Sequence, residues 1–233
     1  MKRWLPWLFI VPTVLTLLAL GSWQLQRLQW KETVMQQYEE GRVKPVLSIN
    51  SLSTEEIQNL PYRRVTISGE FHHDKEIHLG GRRRLGKTGY HLLTPMTLED
   101  GRHFLVNRGW IPFKKKEIKD RPETVEQEAA IDLQGVIRFP KPPNLITPSN
   151  HPEKNFWFSV DYPALESFTE LKLEPVVIEL MNDEPDLKVL PIVSDGKRVF
   201  RNDHLGYAIT WFSLAIAAMV IFWARILRKE SNS

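Results

Sequence analysis

WLPWLFIVPTVLTLLALGSW (Trp4–Trp23) and LGYAITWFSLAIAAMVIFW (Leu205–Trp223) stand near the two ends of the chain, and neither carries a charge. Twenty residues of α-helix rise about 30 Å, the thickness of a bilayer's hydrocarbon core. The first run has only Thr13, Thr16 and Ser22 as polar residues, and Pro6 and Pro12 are tolerable in a membrane helix. Lys2 and Arg3 precede it, while Arg225, Arg228 and Lys229 follow the second run. The positive-inside rule then keeps both termini in the cytoplasm and places the chain between them on the other face. Trp4, Trp7, Trp23, Tyr207 and Trp223 sit near the span ends, as interfacial anchors do. The first run also has the parts of a cleaved signal peptide, with Ala19-Leu20-Gly21 as a small-x-small site. Its length and its tryptophan boundaries favour a retained span.

These readings give a membrane protein with one transmembrane helix at each end. The expected division is a first helix at 4–23, a domain at 24–203 whose residues 24–40 extend that helix, and a second helix at 204–224. Average composition conceals this layout. The 233 residues are 25% charged with a mean hydropathy of −0.30, values typical of a soluble domain. The net charge of +3 is too small for a nucleic-acid binder, so no nucleic-acid partner is expected. The absence of cysteine excludes disulfides, thiol catalysis, thiolate zinc sites and covalent haem attachment.

Between the spans, short β-branched and aromatic segments predict strands at Arg64–Phe71, Glu76–Leu79, Tyr90–Thr97, His103–Trp110, Ile131–Arg138 and Val176–Leu180. Glu99-Asp100-Gly101 reads as a hairpin turn, Asp161–Glu170 as a short helix and Pro140–Pro152 as a loop. Gly41 reads as the stop of the first helix. The expected fold is a β-rich α+β domain built on a mostly antiparallel, curled or barrel-like sheet.

Gly81-Arg82-Arg83-Arg84-Leu85-Gly86-Lys87-Thr88 fits the phosphate-loop pattern G-x-x-x-x-G-K-[ST]. A helix should follow such a loop, and Gly89-Tyr90-His91-Leu92-Leu93-Thr94-Pro95 is a poor one. The stretch is therefore read as a basic loop between strands, and no nucleotide is expected. His72, His73 and His78 lack carboxylates at ligand spacing and are read as part of a solvated turn. Asn107-Arg108-Gly109-Trp110 reads as a strand end in a tight turn, with Arg108 in an internal ion pair. No catalytic set is apparent, and the chain is not expected to be an enzyme.

His204 stands immediately before the second span, and helical spacing puts Tyr207, Ala208 and Trp211 on its side. On the first helix Trp23, Arg27 and Trp30 form a stripe. One imidazole, several indoles and a guanidinium at an interfacial groove suit an amphiphilic, planar, carboxylate-bearing ligand: His204 for iron, Trp23 and Trp211 for a macrocycle, Arg27 for propionates. The plain alternative is that His and Trp are ordinary interfacial residues.

Several stretches resemble the Surfeit locus protein 1 family, assembly factors of haem–copper oxidases. They are Gly21-Ser-Trp23-Gln24-Leu-Gln-Arg27, Gly69-Glu-Phe71, Gly89-Tyr90 with Thr94-Pro95, Asn107-Arg108-Gly109-Trp110-Ile111-Pro112, and Asn202-Asp-His204-Leu-Gly-Tyr207-Ala208-Ile-Thr210-Trp211-Phe212. The resemblance implies a chaperone in cytochrome c oxidase biogenesis that assists delivery or insertion of haem a, held transiently, into oxidase subunit I. It implies His204 as an axial ligand of the haem iron, with Trp211 in the same motif. It also implies a bacterial inner membrane location with the central domain in the periplasm, and haem a synthase as a candidate partner beside subunit I and the lipid bilayer. A scaffold that stabilises nascent subunit I without binding haem, through the surface around Asn107–Pro112, is the alternative. An exported enzyme on a membrane tether is the third reading.

Overall fold

The structure is a computed structural model that describes residues 5–84, 86–124, 129–183, 186–187, 189–195 and 202–231. Two long helices, α1 (Leu5–Val43) and α4 (His204–Ser231), flank seven strands in sequence. These strands are β1 (Leu47–Ser48), β2 (Arg64–Phe71), β3 (Ile77–Arg84), β4 (Lys87–Thr97), β5 (His103–Pro112), β6 (Ala129–Arg138) and β7 (Leu173–Leu180). Two short helices, α2 (Thr54–Gln58) and α3 (Tyr162–Thr169), complete the set. The chain divides into two compact units, residues 1–36 with 199–233, and residues 37–198. The first turns of the expected extension of α1 thus group with α4, and only its end groups with the sheet.

Five strands close a barrel in the order β2–β6–β7–β5–β4 and back to β2, with β1 and β3 as outer additions. The closing contact between β2 and β4 is short, pairing Glu70 with Thr97 and Phe71 with Met96. All pairings are antiparallel except β5 with β7 and β1 with β2. Each barrel strand alternates inward and outward residues, as a pleated strand must. Val65, Ile67, Met96, Phe104, Val106, Ile137 and Ile178 fill the interior, which Ile49 and Ile57 close. The outer face carries Leu79, Leu93, Leu105 and Val177 under α3 and the fully buried Trp157.

The strand expectations locate every barrel strand. The helix expected at Asp161–Glu170 is α3, capped by the Asp161 carboxylate on the Ala164 amide (3.4 Å) and ended by Glu170 in the left-handed conformation (φ 59°). The turn at Glu99–Gly101 joins β4 to β5, closed by the Gly101 amide on the Leu98 carbonyl (3.0 Å).

Three expectations are corrected. First, α1 passes through Gly41 to Val43. Glycine is there because a Cβ would lie 2.5 Å from the Tyr62 carbonyl oxygen, so the helix end packs directly on backbone. Arg138 holds the same region, its guanidinium 5.3 Å from the rings of both Tyr38 and Tyr62 and its Nε donating to Glu179 (2.6 Å). Second, the basic stretch is not a loop. Arg82, Arg83 and Arg84 pair with Gly89, Thr88 and Lys87 as the arms of the β3–β4 hairpin. Strand, not helix, follows Lys87.

Third, Asn107-Arg108-Gly109-Trp110 lies within β5, at a bulge where Leu92 opposes Gly109 and Leu93 opposes Asn107. Arg108 is the extra residue. The bulge shifts the alternation by one, so Ile111 faces inward with Leu92 and Tyr90, as Phe104 and Val106 do upstream. Gly109 adopts φ 130°, and a Cβ there would meet the Ile192 carbonyl at 2.6 Å.

The bulge aims Arg108 at Glu76, giving the expected internal ion pair at 3.2 Å. A second cation shares that carboxylate. Arg121 is fully buried and places its five N–H groups on five acceptors: Nε on the Lys115 carbonyl (3.0 Å), one terminal nitrogen on Glu76 Oε1 (3.3 Å) and the Thr124 hydroxyl (2.7 Å), the other on Glu76 Oε2 (2.5 Å) and the Lys116 carbonyl (3.0 Å). A buried guanidinium is tolerated when every donor is matched. Its partners tie the segment after β5 to the start of β3. Removing one member leaves a charge without its counterpart, so Arg121→Ala should cost about 3–5 kcal/mol. Thermal unfolding of the full chain in detergent checks this as a large fall in Tm.

The three histidines are not a freely solvated turn: His72 and His73 are half-buried and His78 is buried. His72 bonds the Thr97 hydroxyl (2.6 Å), His73 lies 3.0 Å from Arg108, and His78 is buried edge-on to Tyr90 (5.5 Å). Burial, then the Arg121 charge, then Lys116 push the His78 pKa down to about 4. Between about pH 6.5 and 4 the unfolded chain therefore binds the proton that the folded protein refuses. This contribution to stability is complete above pH 6.5 and shrinks on acidification, by about 3 kcal/mol across the window. The Tm should fall between pH 7 and pH 4.5, and His78→Phe should flatten that slope.

Candidate functional site

α1 and α4 pack antiparallel within their unit: Trp7 meets Phe222 edge to face (4.6 Å), Gly21 meets Phe212, and Gln24 meets His204. The less exposed positions of α1 include Ile10, Val14, Leu17, Gly21, Gln24 and Leu28, with Leu20 beside them; those of α4 include His204, Ala208, Trp211, Ala215, Ala218 and Phe222, with Phe212 beside them. Steps of four and three residues alternate, the spacing of a coiled-coil seam. Small residues at Gly21, Ala208 and Ala215 let the backbones approach, as at helix pairs in membranes. A Cβ on Gly21 would lie 2.6 Å from the Phe212 ring.

His204 is the first residue of α4 and lies on this seam, half-buried. Its Nδ1 is 2.7 Å from the side-chain oxygen of Gln24, which is itself buried. An amide oxygen only accepts, so in the neutral ring this contact selects the tautomer with the proton on Nδ1 and the lone pair on Nε2. Trp211 lies two helical turns along the same seam, half-buried.

The other predicted residues lie outside the seam. Trp23 and Tyr207 are 50% and 56% exposed, and Arg27 is exposed with its guanidinium 4.7 Å over the Trp30 ring. At 100° per residue, Arg27 precedes Gln24 around α1 by the same sense and amount as Tyr207 precedes His204 around α4. In an antiparallel pair such offsets fall on one side, so Arg27 and Tyr207 lie on the same side of the seam, at opposite levels relative to the His204–Gln24 contact. Trp23 and Trp30 lie further round α1. The tryptophan stripe drew attention to the flank of α1 and away from Gln24. The four-three spacing through Gly21 was the signal that could have found Gln24.

Elsewhere the side chains of Asn107, Trp110 and Ile111 are buried. Asn107 serves the bulge, accepting the Gly109 amide (3.1 Å), and the Trp110 indole donates to the Arg82 carbonyl (3.1 Å). Among the described residues, no group of three or more His, Asp or Glu side chains is placed to hold a metal ion.

Comparison with known proteins bears on the whole chain. A family model described as the SURF1 family matches residues 11–216. The chain is 33% identical over 230 residues to a SURF1-like protein of Rickettsia bellii, covering 97% of this chain and 92% of that protein. A SURF1-like protein of Rickettsia felis is 34% identical over 219 residues, with 92% and 94% covered. Surfeit locus protein 1 of Homo sapiens is 30% identical over 243 residues, with 96% and 78% covered. The matched region takes in most of α1, the whole barrel and the His204 end of α4, and this chain belongs to the SURF1 family.

Proposed function

We propose that this protein is a non-enzymatic assembly factor for a haem–copper terminal oxidase, holding haem a for delivery to nascent subunit I. On this reading α1 and α4 anchor it in the bacterial inner membrane and the barrel lies in the periplasm. The anchoring rests on surface chemistry. Both helices are long and apolar enough to cross a bilayer, and little of either is buried in the protein. Phe9, Leu15, Ile209, Ile216, Val220 and Ile221 are all exposed. Such continuous apolar faces are excluded from water but match lipid. The orientation rests on Arg225 and Arg228 at the end of α4.

The observation that carries the haem reading is the state of His204. Its Nδ1 is engaged by Gln24, which in the neutral ring leaves Nε2 with the lone pair that iron ligation requires. The rest of the neighbourhood fits the same group. Trp211 offers an aromatic face two helical turns along the seam from the imidazole, and Arg27 and Tyr207 offer a cationic and a hydroxyl group on one side of the seam for propionates. When bound, haem a would supply only its iron as an acceptor for the imidazole. A single neutral ligand suits a carrier that must let go. The scaffold alternative assigned function to the surface around Asn107–Pro112, and the burial of Asn107, Trp110 and Ile111 weakens it. Haem a synthase remains a candidate donor on this reading.

Because the chain has no cysteine, single cysteines report orientation directly. Lys119→Cys should react with an impermeant maleimide in intact spheroplasts, and Arg228→Cys only after permeabilisation. The reverse pattern refutes the orientation. Purified after co-expression with the haem a biosynthesis enzymes, the protein should show a Soret band that falls at least tenfold in His204→Ala. Unchanged haem occupancy in that variant removes His204 as the ligand.

A further inference from the structure

We propose that Gln24 is a positioning residue that fixes the tautomer of His204 and, by being an amide rather than a carboxylate, keeps the imidazole a releasable ligand. The proposal rests on the haem reading above and adds to it the control of how firmly the site holds its cargo.

Gln24 occupies a seam position between Gly21 and Leu28, where neighbouring positions are small or apolar. It is 9% exposed. A buried amide in such a place is unfavourable unless its polar atoms are matched. Its oxygen meets His204 Nδ1 at 2.7 Å, within the range of a well-formed hydrogen bond. Nothing in the packing of the helices requires an amide there, since a leucine of similar length suits a seam better. What the amide provides is direction. It holds the Nδ1 proton toward α1 and presents Nε2 away from it.

The chemical identity of the acceptor also matters. A carboxylate on Nδ1–H draws the proton toward itself, gives the ring partial imidazolate character and strengthens its bond to a metal. A neutral amide orients the ring with much less polarisation. Gln24 therefore gives orientation without tight capture, which a site that receives and surrenders its ligand needs. The approach of Gly21 to Phe212 sets the helices close enough, one turn away, for the short glutamine side chain to reach.

The test uses the full chain in detergent. In the haem-free protein, 15N spectra of histidine-labelled samples, with the His204 signals identified by their loss in His204→Ala, should show a bare Nε2 and a protonated Nδ1. Gln24→Leu should abolish this preference. In the haem-loaded protein, Gln24→Leu should lower haem occupancy about tenfold or more, the usual effect of losing such a support. Gln24→Glu should retain haem, raise the Fe–His stretching frequency of the ferrous form and slow haem transfer to apomyoglobin. Circular dichroism controls for helix pairing.

Wild-type occupancy and an unchanged Fe–His stretch in both variants overturn the proposal while leaving His204 as ligand. A protonated Nε2 in the wild-type protein also overturns it, whether or not haem is bound. Haem retention in His204→Ala refutes the haem reading instead, and the tautomer measurement then decides the role of Gln24 alone.

Discussion

The close approach of α1 and α4 at Gly21 is the constraint on which the candidate site depends. With no side chain on α1 at that level, the Phe212 ring lies against the helix backbone. The antiparallel seam is thereby held in one register, and one turn further along Gln24 reaches His204. The hydrogen bond itself does not hold the helices together. Interhelical bonds of this kind contribute about 0.6–2 kcal/mol in membranes, less than the packing of a seam. What the contact adds is a fixed direction for the His204 ring relative to α1.

The barrel depends on a different economy. Its closure between β2 and β4 uses few residue pairs, and the segment after β5 is long and irregular. Order there comes from Glu76, whose carboxylate receives both Arg108 and the buried Arg121. Burial and the neighbouring Arg121 charge lower the Arg108 pKa, against the pull of Glu76, but only to about 10, so the cation persists at neutral pH. His78 shows the reverse outcome. Burial, Arg121 and Lys116 all act against its charged form, and at neutral pH it stays neutral.

Local physics was the part most legible in the sequence. Short β-branched and aromatic segments located β2, β4, β5, β6 and β7; the stretch Asp161–Glu170 located α3; charge-free runs located α1 and α4. The expectations that failed involved partners distant in the chain. Gly41 resembles a helix stop until Tyr62 is known to lie against it. Three arginines and two glycines resemble a loop until β4 pairs with them. The parallel neighbours β5 and β7 are separated by β6 and a proline-rich loop, and no local pattern announces them. At the candidate site, His204 and Trp211 were visible because their motif is distinctive. Gln24 was not, because a polar residue among leucines looks solvent-facing until the opposite helix is placed.

The bulge at Arg108 sets a limit on how this domain can vary in length. Regular alternation along β5 would turn Ile111 outward if Phe104 and Val106 remain inward. One extra residue corrects the phase, and that same residue carries the charge that meets Glu76. Side chain and chain length are therefore tied at a single position. Replacing Arg108 removes an ion pair, whereas deleting it would also exchange the two faces of everything downstream in the strand. Length polymorphism in this family should accordingly gather in segments such as the proline-rich loop after β6, and the count of residues between Asn107 and Trp110 should be among its least variable features.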